Sequence, residues 1–292
     1  MYPVDSLGSV YSRLEEQIKG ANSPVVKIVT INILFEMDRW EQRRDLLAAG
    51  LKAQQADLIG LQEVKLPEDT SAWLAEQLEM PHVYLIPYQK PNQAQPKYGA
   101  AILSRYPFVQ QAELDLQGQG RKAQYVQVEV EGQALILCNG HYFWSPGSSP
   151  EREKQIRLLL DWLGKFLPDM PVVAVGDFNA SPGTPEISLM QSQFTSAYGA
   201  HHGHEPEYTA PTPLWRGWQR MLRYAISNWK RYGRFRHERG TRDYIFFNQY
   251  LRVQDCQLIL TEPAPDDSTL YPSDHFGLAA QLEFLGGGEI QS

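Results

Sequence analysis

Short apolar runs that end in a polar side chain recur along the chain and predict buried strands. In the clearest of them, residues 171–176, small and β-branched apolar residues lead directly into a glycine. Asp177 and Asn179 follow two positions apart, so their side chains point the same way if the backbone stays extended. Open α/β sheets bind ligands at the carboxyl ends of their strands, which makes this pair a candidate for function. An Asx-turn without a chemical role explains the same two residues equally well.

Three further runs place an amide, a carboxylate and an imidazole at strand ends. They are residues 25–34 with Asn32, residues 57–62 with Glu63, and a hairpin of residues 123–130 and 134–138 that leads to His141. A buried amide needs hydrogen-bond partners, and a single histidine at a strand end is more often structural than catalytic. Each residue on its own therefore has a structural interpretation, and the functional one depends on several of them converging.

Apolar residues at helical spacing predict three helices between these strands. The helices cover residues 38–55, residues 70–79 and a segment that starts at residues 149–151. In the first, Asp38 and Glu41 form the pattern of a capping box. In the third, Ser149 stands at the cap position and Pro150 follows at the first helical position, where both residue types are preferred.

The remaining strands are predicted from apolar runs in the middle and near the end of the chain. They are residues 83–87 and 98–103, separated by a polar surface loop, and then residues 241–247, 251–260 and 276–284. The runs at 241–247 and 251–260 are predicted to pair as a hairpin, with Asn248 and Gln249 in its turn.

The length of 292 residues and the apolar content of 42% support one substantial core. We expect a single domain at residues 25–285, with a loosely held lead-in at 1–24 and a disordered tail at 286–292. The first residues lack the basic-then-apolar pattern of a secretory signal, and no run of about eighteen apolar residues occurs, so we expect a cytoplasmic protein. Cys138 and Cys256 lie in apolar runs and are predicted to be buried thiols.

The polar residues at or beside strand ends are carboxylates, amides and imidazoles, without any cysteine. The set is Asn32, Glu63, His141, Asp177, Asn179, Asp243, Asp274 and His275. Oxygen ligands with few nitrogens suit Mg²⁺ or Mn²⁺ better than zinc, and such a metal usually binds a substrate phosphate. An Asp–His pair beside it can hold a phosphate oxygen or transfer a proton. By contrast, His201, His202 and His204 lie in a polar loop and are predicted to be solvated.

Seven short motifs, in the same order along residues 25–285, resemble those of the endonuclease/exonuclease/phosphatase superfamily, whose members have a deoxyribonuclease I-like fold. The motifs are Asn32, Gln62-Glu63, Tyr98-Gly99 with Leu103-Ser104-Arg105, Asn139-Gly140-His141, Gly176-Asp177-Phe178-Asn179, Asp243-Tyr244-Ile245-Phe246 and Ser273-Asp274-His275. The resemblance implies a four-layer sandwich of the α/β (α+β) class, in which two mixed β-sheets pack face to face with helices outside. It also implies a site at one end of the sandwich.

The same resemblance implies a role for each site residue. The implied metal ligands are Glu63, Asn32 and Asp274. The implied catalytic residues are Asp177 and Asn179, which would orient the attacking water and the phosphate, and His141, Asp243 and His275, which would bind and protonate phosphoryl oxygens. Tyr98 of the motif set is a candidate substrate contact, and the basic segment 213–242, which lies outside the family motifs, adds Arg216, Trp218 and Arg220 as further candidates. The expected cofactor is Mg²⁺ or Mn²⁺.

Fold and motifs leave the substrate open, because the superfamily includes nucleases, deadenylases, sphingomyelinases and inositol polyphosphate phosphatases. Residues 272–275 (PSDH) differ from the Trp-Thr-Asp-Arg type of ending of the inositol phosphatases and look more like the deadenylase and nocturnin-like branch. Gly140 departs from the Thr or Val that many members have before the histidine.

We predict a Mg²⁺-dependent phosphodiesterase or nuclease acting on nucleic acid or nucleotides. A membrane-surface phospholipid phosphodiesterase or phosphatase is the alternative, and a non-catalytic binding module fits least, because every required residue type is present.

A basic segment at residues 213–242 contrasts with an acidic remainder. It carries nine Lys or Arg against one acid, a net charge of +8, which leaves −15 for the rest of a chain of formal charge −7. Within an insertion at about 213–240, tryptophans and aliphatic residues recur at helical spacing and predict a basic amphipathic helix. Such a stripe can face the core, lie on an anionic membrane through residues 213–236, or stack on single-stranded nucleic acid. The periodicity favours the membrane, to which the protein would be peripheral, and the sequence indicates no protein partner.

Overall fold

Twelve strands form two six-stranded sheets in the computed structural model, which describes residues 23–90, 94–233 and 239–286. The strands are β1 (Val25–Asn32), β2 (Leu58–Lys65), β3 (His82–Pro87), β4 (Tyr98–Ser104), β5 (Gln110–Asp115), β6 (Lys122–Val130), β7 (Gln133–His141), β8 (Val172–Asp177), β9 (Thr195–Ser196), β10 (Asp243–Phe247), β11 (Leu251–Ile259) and β12 (Gly277–Phe284). The first sheet has the order β11-β12-β1-β2-β4-β3 and the second β5-β6-β7-β8-β10-β9. Both are mixed, because β1–β2 and β7–β8 are parallel pairs among antiparallel neighbours. The predicted lead-in up to residue 22 and the tail from residue 287 lie outside the described residues.

Six helices occur among the described residues, and four of them cover the outer faces of the sheets. The helices are α1 (Trp40–Gln54), α2 (Thr70–Leu78), α3 (Pro150–Leu163), α4 (Pro185–Gln191), α5 (Ala197–His202) and α6 (Trp218–Tyr232). Buried residues of α1 and α2 pack on the first sheet, and those of α3 and α4 pack on the second. The arrangement is the four-layer sandwich that the family resemblance implies.

Burial on both faces explains why the central strands are mostly apolar. Ile28 of β1 and Val175 of β8 lie in a core between the two sheets. Their neighbours in sequence, Val29 and Ala174, lie in the outer layers against the helices. Because successive side chains of a strand point to opposite faces, the apolar residues of these strands fill both the central core and the outer layers.

The predicted hairpin of residues 241–247 and 251–260 is wrong, because β10 and β11 belong to different sheets. β10 pairs with β8 in the second sheet, and β11 pairs with β12 in the first. The connecting residues 248–250 cross from one sheet to the other. Asn248 fixes this corner, since its side chain accepts a hydrogen bond from Val172 N at 3.0 Å and donates one to Met170 O at 2.8 Å.

The capping box predicted at Asp38 and Glu41 is also wrong. Helix α1 begins at Trp40, and the residue before it is Arg39, whose φ of 53° is left-handed and whose side chain makes no capping hydrogen bond. This turn moves the start of the helix past Asp38. The cap predicted for α3 is confirmed, because Ser149 Oγ accepts a hydrogen bond from the first turn of the helix at 3.4 Å.

Predictions about the cysteines and the loop histidines agree with the structure. Cys138 and Cys256 are buried and free, and the histidines at 201, 202 and 204 are exposed. None of the helices in the described ranges has the length and apolar character needed to cross a membrane.

Candidate active site

Strand ends from both sheets meet at one edge of the sandwich and carry the predicted functional residues. In the first sheet, the parallel pair β1–β2 sets Asn32 beside Gln62. In the second, the parallel pair β7–β8 sets His141 beside Asp177, and antiparallel β10 begins at Asp243, directly opposite Asp177. A hydrogen bond of 3.2 Å from Asn32 Nδ2 to Asp177 Oδ2 joins the two sheets there. The carboxyl ends of two parallel strand pairs thus share one end of the molecule, as in other open α/β sites.

Gly176 allows β7 and β8 to approach closely beside the site. Its φ of +139° is unfavourable for residues with a side chain, and a Cβ atom there would lie 1.9 Å from the carbonyl oxygen of Gly140. Just after it, the backbone N–H of Asn179 donates to Asp177 Oδ1 at 2.9 Å, which is an Asx-turn. The Asx-turn that the sequence suggests for Asp177 and Asn179 is therefore present. It fixes the orientation of the Asp177 carboxylate, whose other oxygen, Oδ2, contacts the rest of the cluster.

Asp177 Oδ2 is the atom on which the cluster converges. Besides Asn32, His141 Nε2 lies 3.3 Å and His275 Nε2 3.9 Å from it. Burial raises the pKa of Asp177 to about 6, with Asp243 acting in the same direction and the charge of His275 in the opposite one. A buried carboxyl group with a perturbed pKa and several polar contacts is typical of functional sites.

Asp243 and His275 form the second polar pair of the cluster. His275 Nδ1 lies 2.9 Å from Asp243 Oδ2, which also accepts a hydrogen bond of 2.5 Å from Thr209 Oγ1. Asp243 Oδ1 is buried and has no hydrogen-bond partner among the described residues. Burial disfavours the charged imidazole, but Asp243 and then Asp177 outweigh it and raise the pKa of His275 to about 10. The pair therefore presents a charged imidazole whose Nε2 faces Asp177.

Arg121 determines the tautomer of His141. Its Nη1 lies 2.8 Å from His141 Nδ1, and because a guanidinium can only donate, Nδ1 must accept. The proton of the neutral ring is then on Nε2, the atom nearest Asp177. Burial, followed by the charge of Arg121, holds the pKa of His141 well below its usual value. Sequence patterns give no sign of this role, because Arg121 meets His141 only through the pairing of β6 with β7.

Glu63 lies at an irregular point of β2, where the register with β4 shifts between Gln62 and Val64. Its φ is +59°, and its Oε2 accepts a hydrogen bond from Phe35 N at 3.2 Å. Burial, and then the negative charge of Asp274, raises the pKa of Glu63 to about 7. The structure therefore brings two of the predicted metal ligands close enough to repel one another.

Gln62 and Asn139, two residues of the family motifs, have a structural role. Gln62 Nε2 donates to Asn139 Oδ1 at 2.7 Å, and Asn139 Nδ2 donates to the carbonyls of Leu61 and Ala101, each at 3.0 Å. All of these groups are buried, and they connect β7 of the second sheet with β2 and β4 of the first. This amide network holds the two sheets together directly beneath the site.

Three residues of the cluster are also arranged like metal ligands. Asp177, Asp243 and His275 each offer one ligand atom, and these atoms lie within 4.8 Å of one another. This set differs from the ligands that the resemblance implies, Glu63, Asn32 and Asp274. The site therefore has two groups of oxygen-rich donors on either side of the Asn32–Asp177 hydrogen bond.

Residues 29–275 match the Endonuclease/Exonuclease/phosphatase family. The chain belongs to this family. Its members are hydrolases that act on phosphoester bonds and commonly use divalent metals. The matched region extends over the whole site, from Asn32 to His275.

Three relatives of this family illustrate the likeness. Nocturnin of Drosophila melanogaster is 26% identical over 286 residues, which cover 84% of this chain and 42% of that protein. The human Nocturnin catalytic domain with a bound sulfate anion is 23% identical, with a TM-score of 0.69 over 90% of this chain and 94% of that one. TDP2 of D. rerio in complex with a single-strand DNA product is 18% identical, with a TM-score of 0.68 over 89% and 99% of the two chains. The chain thus spans less than half of the fly protein's length but nearly all of these two solved domains.

The substrate contacts that we predict for this family member lie in different surroundings. Tyr98 is buried and stacks on Phe35 with ring centroids 4.5 Å apart. Arg216 Nη1 lies 2.9 Å from Glu36 Oε2 and 3.5 Å from Asp274 Oδ2, at the rim of the site. Trp218 is highly exposed in the first turn of α6. The side chain of Arg220, in the same helix, lies outside the described part of the structure.

The departure from the family pattern at Gly140 has a structural explanation. A Cβ atom at Gly140 would lie 2.5 Å from the hydroxyl oxygen of Tyr142, which is fully buried. The Tyr142 ring stacks on Phe178 of the Asp177 motif at 4.6 Å. Tyr142 therefore occupies the space that the side chain of a threonine or valine at position 140 would need.

Proposed function

We propose that this protein is a Mg²⁺- or Mn²⁺-dependent phosphodiesterase that acts on nucleic acid or nucleotides by metal-assisted attack of water on phosphorus. The observation that carries the proposal is the convergence of Asn32, His141 and His275 on Asp177 Oδ2. Membership of a family of phosphoester hydrolases supports the reaction class.

The donor set fits a divalent cation. Glu63 and Asp274 are carboxylates close enough for the charge of Asp274 to raise the pKa of Glu63, and oxygen donors of this kind suit Mg²⁺ or Mn²⁺. Burial raises the pKa of Asp177 and of Glu63, and a nearby cation would favour the ionised form of both. We assign the metal to Glu63, with Asn32 and Asp274. A bound metal ion would polarise the phosphoryl group and neutralise charge that develops on its oxygens.

Four residues of the chain would position the water and the phosphate and would transfer protons. Asp177 Oδ2, fixed by the Asx-turn and by Asn32, would accept a proton from the attacking water. His141, held as the Nε2–H tautomer by Arg121, would donate a hydrogen bond to a phosphoryl oxygen. His275, held by Asp243, would provide a second donor and a positive charge on the other side, and it would give its proton to the departing ester oxygen as the phosphorus–oxygen bond to the leaving group breaks. The side chain of Asn179 donates to the Tyr142 carbonyl at 3.1 Å. Asn179 would therefore act through its backbone N–H, which fixes the Asp177 carboxylate.

Nucleic acid or a nucleotide is the substrate class that the relatives favour. TDP2 of D. rerio was crystallised with a single-strand DNA product, and human Nocturnin with sulfate, an anion shaped like phosphate. A phospholipid substrate is the alternative, because α6 exposes an apolar face flanked by basic residues close to the site. A non-catalytic module is the least favoured interpretation, since it gives no reason for the convergence of Asn32, His141 and His275 on Asp177 Oδ2.

Hydrolysis of bis-p-nitrophenyl phosphate tests the reaction class. We expect activity with Mg²⁺ or Mn²⁺, loss of activity with EDTA and recovery on adding the metal again. Asp177→Asn protein, purified in the same way, controls for contaminating phosphodiesterases. Activity that survives chelation, or that persists in the variant preparation, would contradict the proposal. A panel of single-stranded RNA, single- and double-stranded DNA, dinucleotides and phospholipids then identifies the substrate class.

A further inference from the structure

Helix α6 presents an apolar stripe to solvent rather than to the core. The exposed fractions of Trp218, Leu222 and Trp229 are 64%, 50% and 52%, and Met221 and Ile226 are exposed as well. At 100° per residue, these five positions fall within an arc of about 140° on one side of the helix. The interpretation of this stripe as core-facing is therefore wrong for the described side chains, because the face is turned away from both sheets.

The rest of the helix is polar and positively charged. The sequence of α6 contains no Asp or Glu, and its basic residues include Arg223 and Lys230, both exposed. Both lie outside the apolar arc, on the side where Ser227 is also exposed. The segment of +8 that contains the helix is attached to a remainder of −15, so positive charge is concentrated around this one exposed face.

The helix begins at the rim of the candidate active site. Two residues before Trp218, Arg216 contacts Glu36 and Asp274, the residue that precedes His275. The backbone N–H of Trp215 donates to the Thr269 carbonyl at 2.9 Å, which fixes the approach to the helix. Any surface that binds the apolar face of α6 is therefore held close to the site.

We propose that the apolar face of α6 docks on an anionic phospholipid bilayer. The helix has 15 residues, about 22 Å, and it is too short and too polar to cross a membrane, so it would lie in the interface with its tryptophans among the headgroups. Basic residues beside the stripe complement the negative charge of the lipid surface. Single-stranded nucleic acid would use the aromatic rings, but it gives no reason for the aliphatic residues Met221, Leu222 and Ile226 between them.

Co-sedimentation with vesicles tests this surface. The intact chain should bind vesicles of equal parts phosphatidylcholine and phosphatidylglycerol, and it should bind pure phosphatidylcholine vesicles much less. Raising the salt from about 0.05 M to about 0.5 M shortens the Debye length about threefold and should weaken binding. The double variant Leu222→Glu/Ile226→Glu should lose about tenfold or more of its affinity for the anionic vesicles, because it places two charges in the apolar face.

The variant Val83→Glu/Val109→Glu is a matched control. Both valines are exposed apolar residues outside α6, so the control adds the same charge at similar exposure and should bind the vesicles nearly as well as the original chain. All variants should hydrolyse bis-p-nitrophenyl phosphate at the original rate, which separates a failure of this proposal from a failure of the proposed function. If the Leu222→Glu/Ile226→Glu protein does not fold, Arg223→Gln/Lys230→Gln replaces it and should also weaken binding.

Three results would overturn the proposal. The first is absence of binding to anionic vesicles at low salt. The second is equal loss of binding in the α6 variant and in the control, which would mean that only net charge matters. The third is salt-sensitive binding of the chain to single-stranded RNA or DNA but not to vesicles, with loss in the α6 variant, which would assign the face to nucleic acid.

Discussion

The Nδ1 atom of His275 lies 2.9 Å from Oδ2 of Asp243, and this contact joins segments that belong to opposite sheets of the sandwich. Asp243 opens β10 in the second sheet, whereas His275 lies two residues before β12 of the first. The pair can form only when the sheets are packed together. The catalytic cluster is therefore a consequence of the closed sandwich and cannot assemble in either half alone.

Replacing Asp177 by Asn or His275 by Ala should each lower kcat at least about a hundredfold, the low end for loss of a positioned acid–base group. Asp177 Oδ2 contacts three polar side chains of the cluster, and His275 is one of them. The measurement is the steady-state rate with saturating metal and bis-p-nitrophenyl phosphate. Thermal unfolding of each variant serves as the control, and near-normal rates in a normally folded variant would remove that residue from the mechanism.

Arg121→Met should lower kcat by about tenfold to a hundredfold, the usual effect of losing a group that orients a functional histidine. The variant removes the donor to His141 Nδ1 and frees the ring to adopt the other tautomer. Nitrogen NMR of the labelled imidazole should show a single Nε2–H tautomer in the original protein and a mixture in the variant. Arg121→Lys keeps a charged donor and should restore part of the rate. An unchanged tautomer would contradict the role of Arg121.

The strands that form the site could be predicted because their apolar runs are buried on both sides. Other elements gave no such signal. β5 (Gln110–Asp115) was not predicted because it is an edge strand whose residues are mostly exposed and polar. The hairpin of residues 241–260 was predicted wrongly because periodicity does not reveal which sheet a strand joins. A short turn and the corner at Asn248 look alike in sequence until the partner at Val172 is known.

The site itself was predictable only in part. Its carboxylates, amides and imidazoles stand next to apolar runs, which is visible in the sequence. Arg121 and Thr209 lie in polar segments and acquire their roles from contacts with residues 20 and 34 positions away. No local pattern records such contacts. The positive charge of residues 213–242 was visible, but whether the apolar face of its helix is covered or exposed required the packing of the whole chain.

Two variants separate the two groups of possible metal ligands. If Glu63 belongs to the metal site, Glu63→Gln should weaken binding of Mn²⁺ about tenfold or more, as measured by calorimetry without substrate. Asp243→Asn should bind Mn²⁺ nearly as well as the original protein but lose activity, because its principal contact is the His275 ring. The opposite pattern would assign the metal to Asp177, Asp243 and His275, which also lie close enough to share an ion.

A buried ion pair away from the site predicts how stability depends on pH. Arg152 and Glu186 are fully buried, with Nη2 and Oε1 3.0 Å apart, and Glu186 Oε1 also accepts a hydrogen bond from Ser149 N at 2.7 Å. Burial opposes ionisation, but the hydrogen bond from Ser149 and the charge of Arg152 outweigh it and lower the pKa of Glu186 below its ordinary value of 4.5. The ionised carboxylate therefore stabilises the folded protein at pH values above 4.5.

Glu186→Gln should cost about 3 kcal/mol of unfolding free energy at neutral pH, because it leaves the Arg152 charge buried without a counter-ion. A group whose pKa is lowered on folding contributes stability above its unfolded pKa and loses it as the pH falls through the folded pKa. The difference in denaturant midpoint between original and variant protein should therefore shrink as the pH falls below about 4.5. Glu153→Gln is the matched control, because Glu153 forms an exposed ion pair with Arg157 in the same helix and should cost well under 1 kcal/mol. A difference that stays constant down to the lowest pH at which the protein folds would mean that the Glu186 carboxylate is not ionised in the native state.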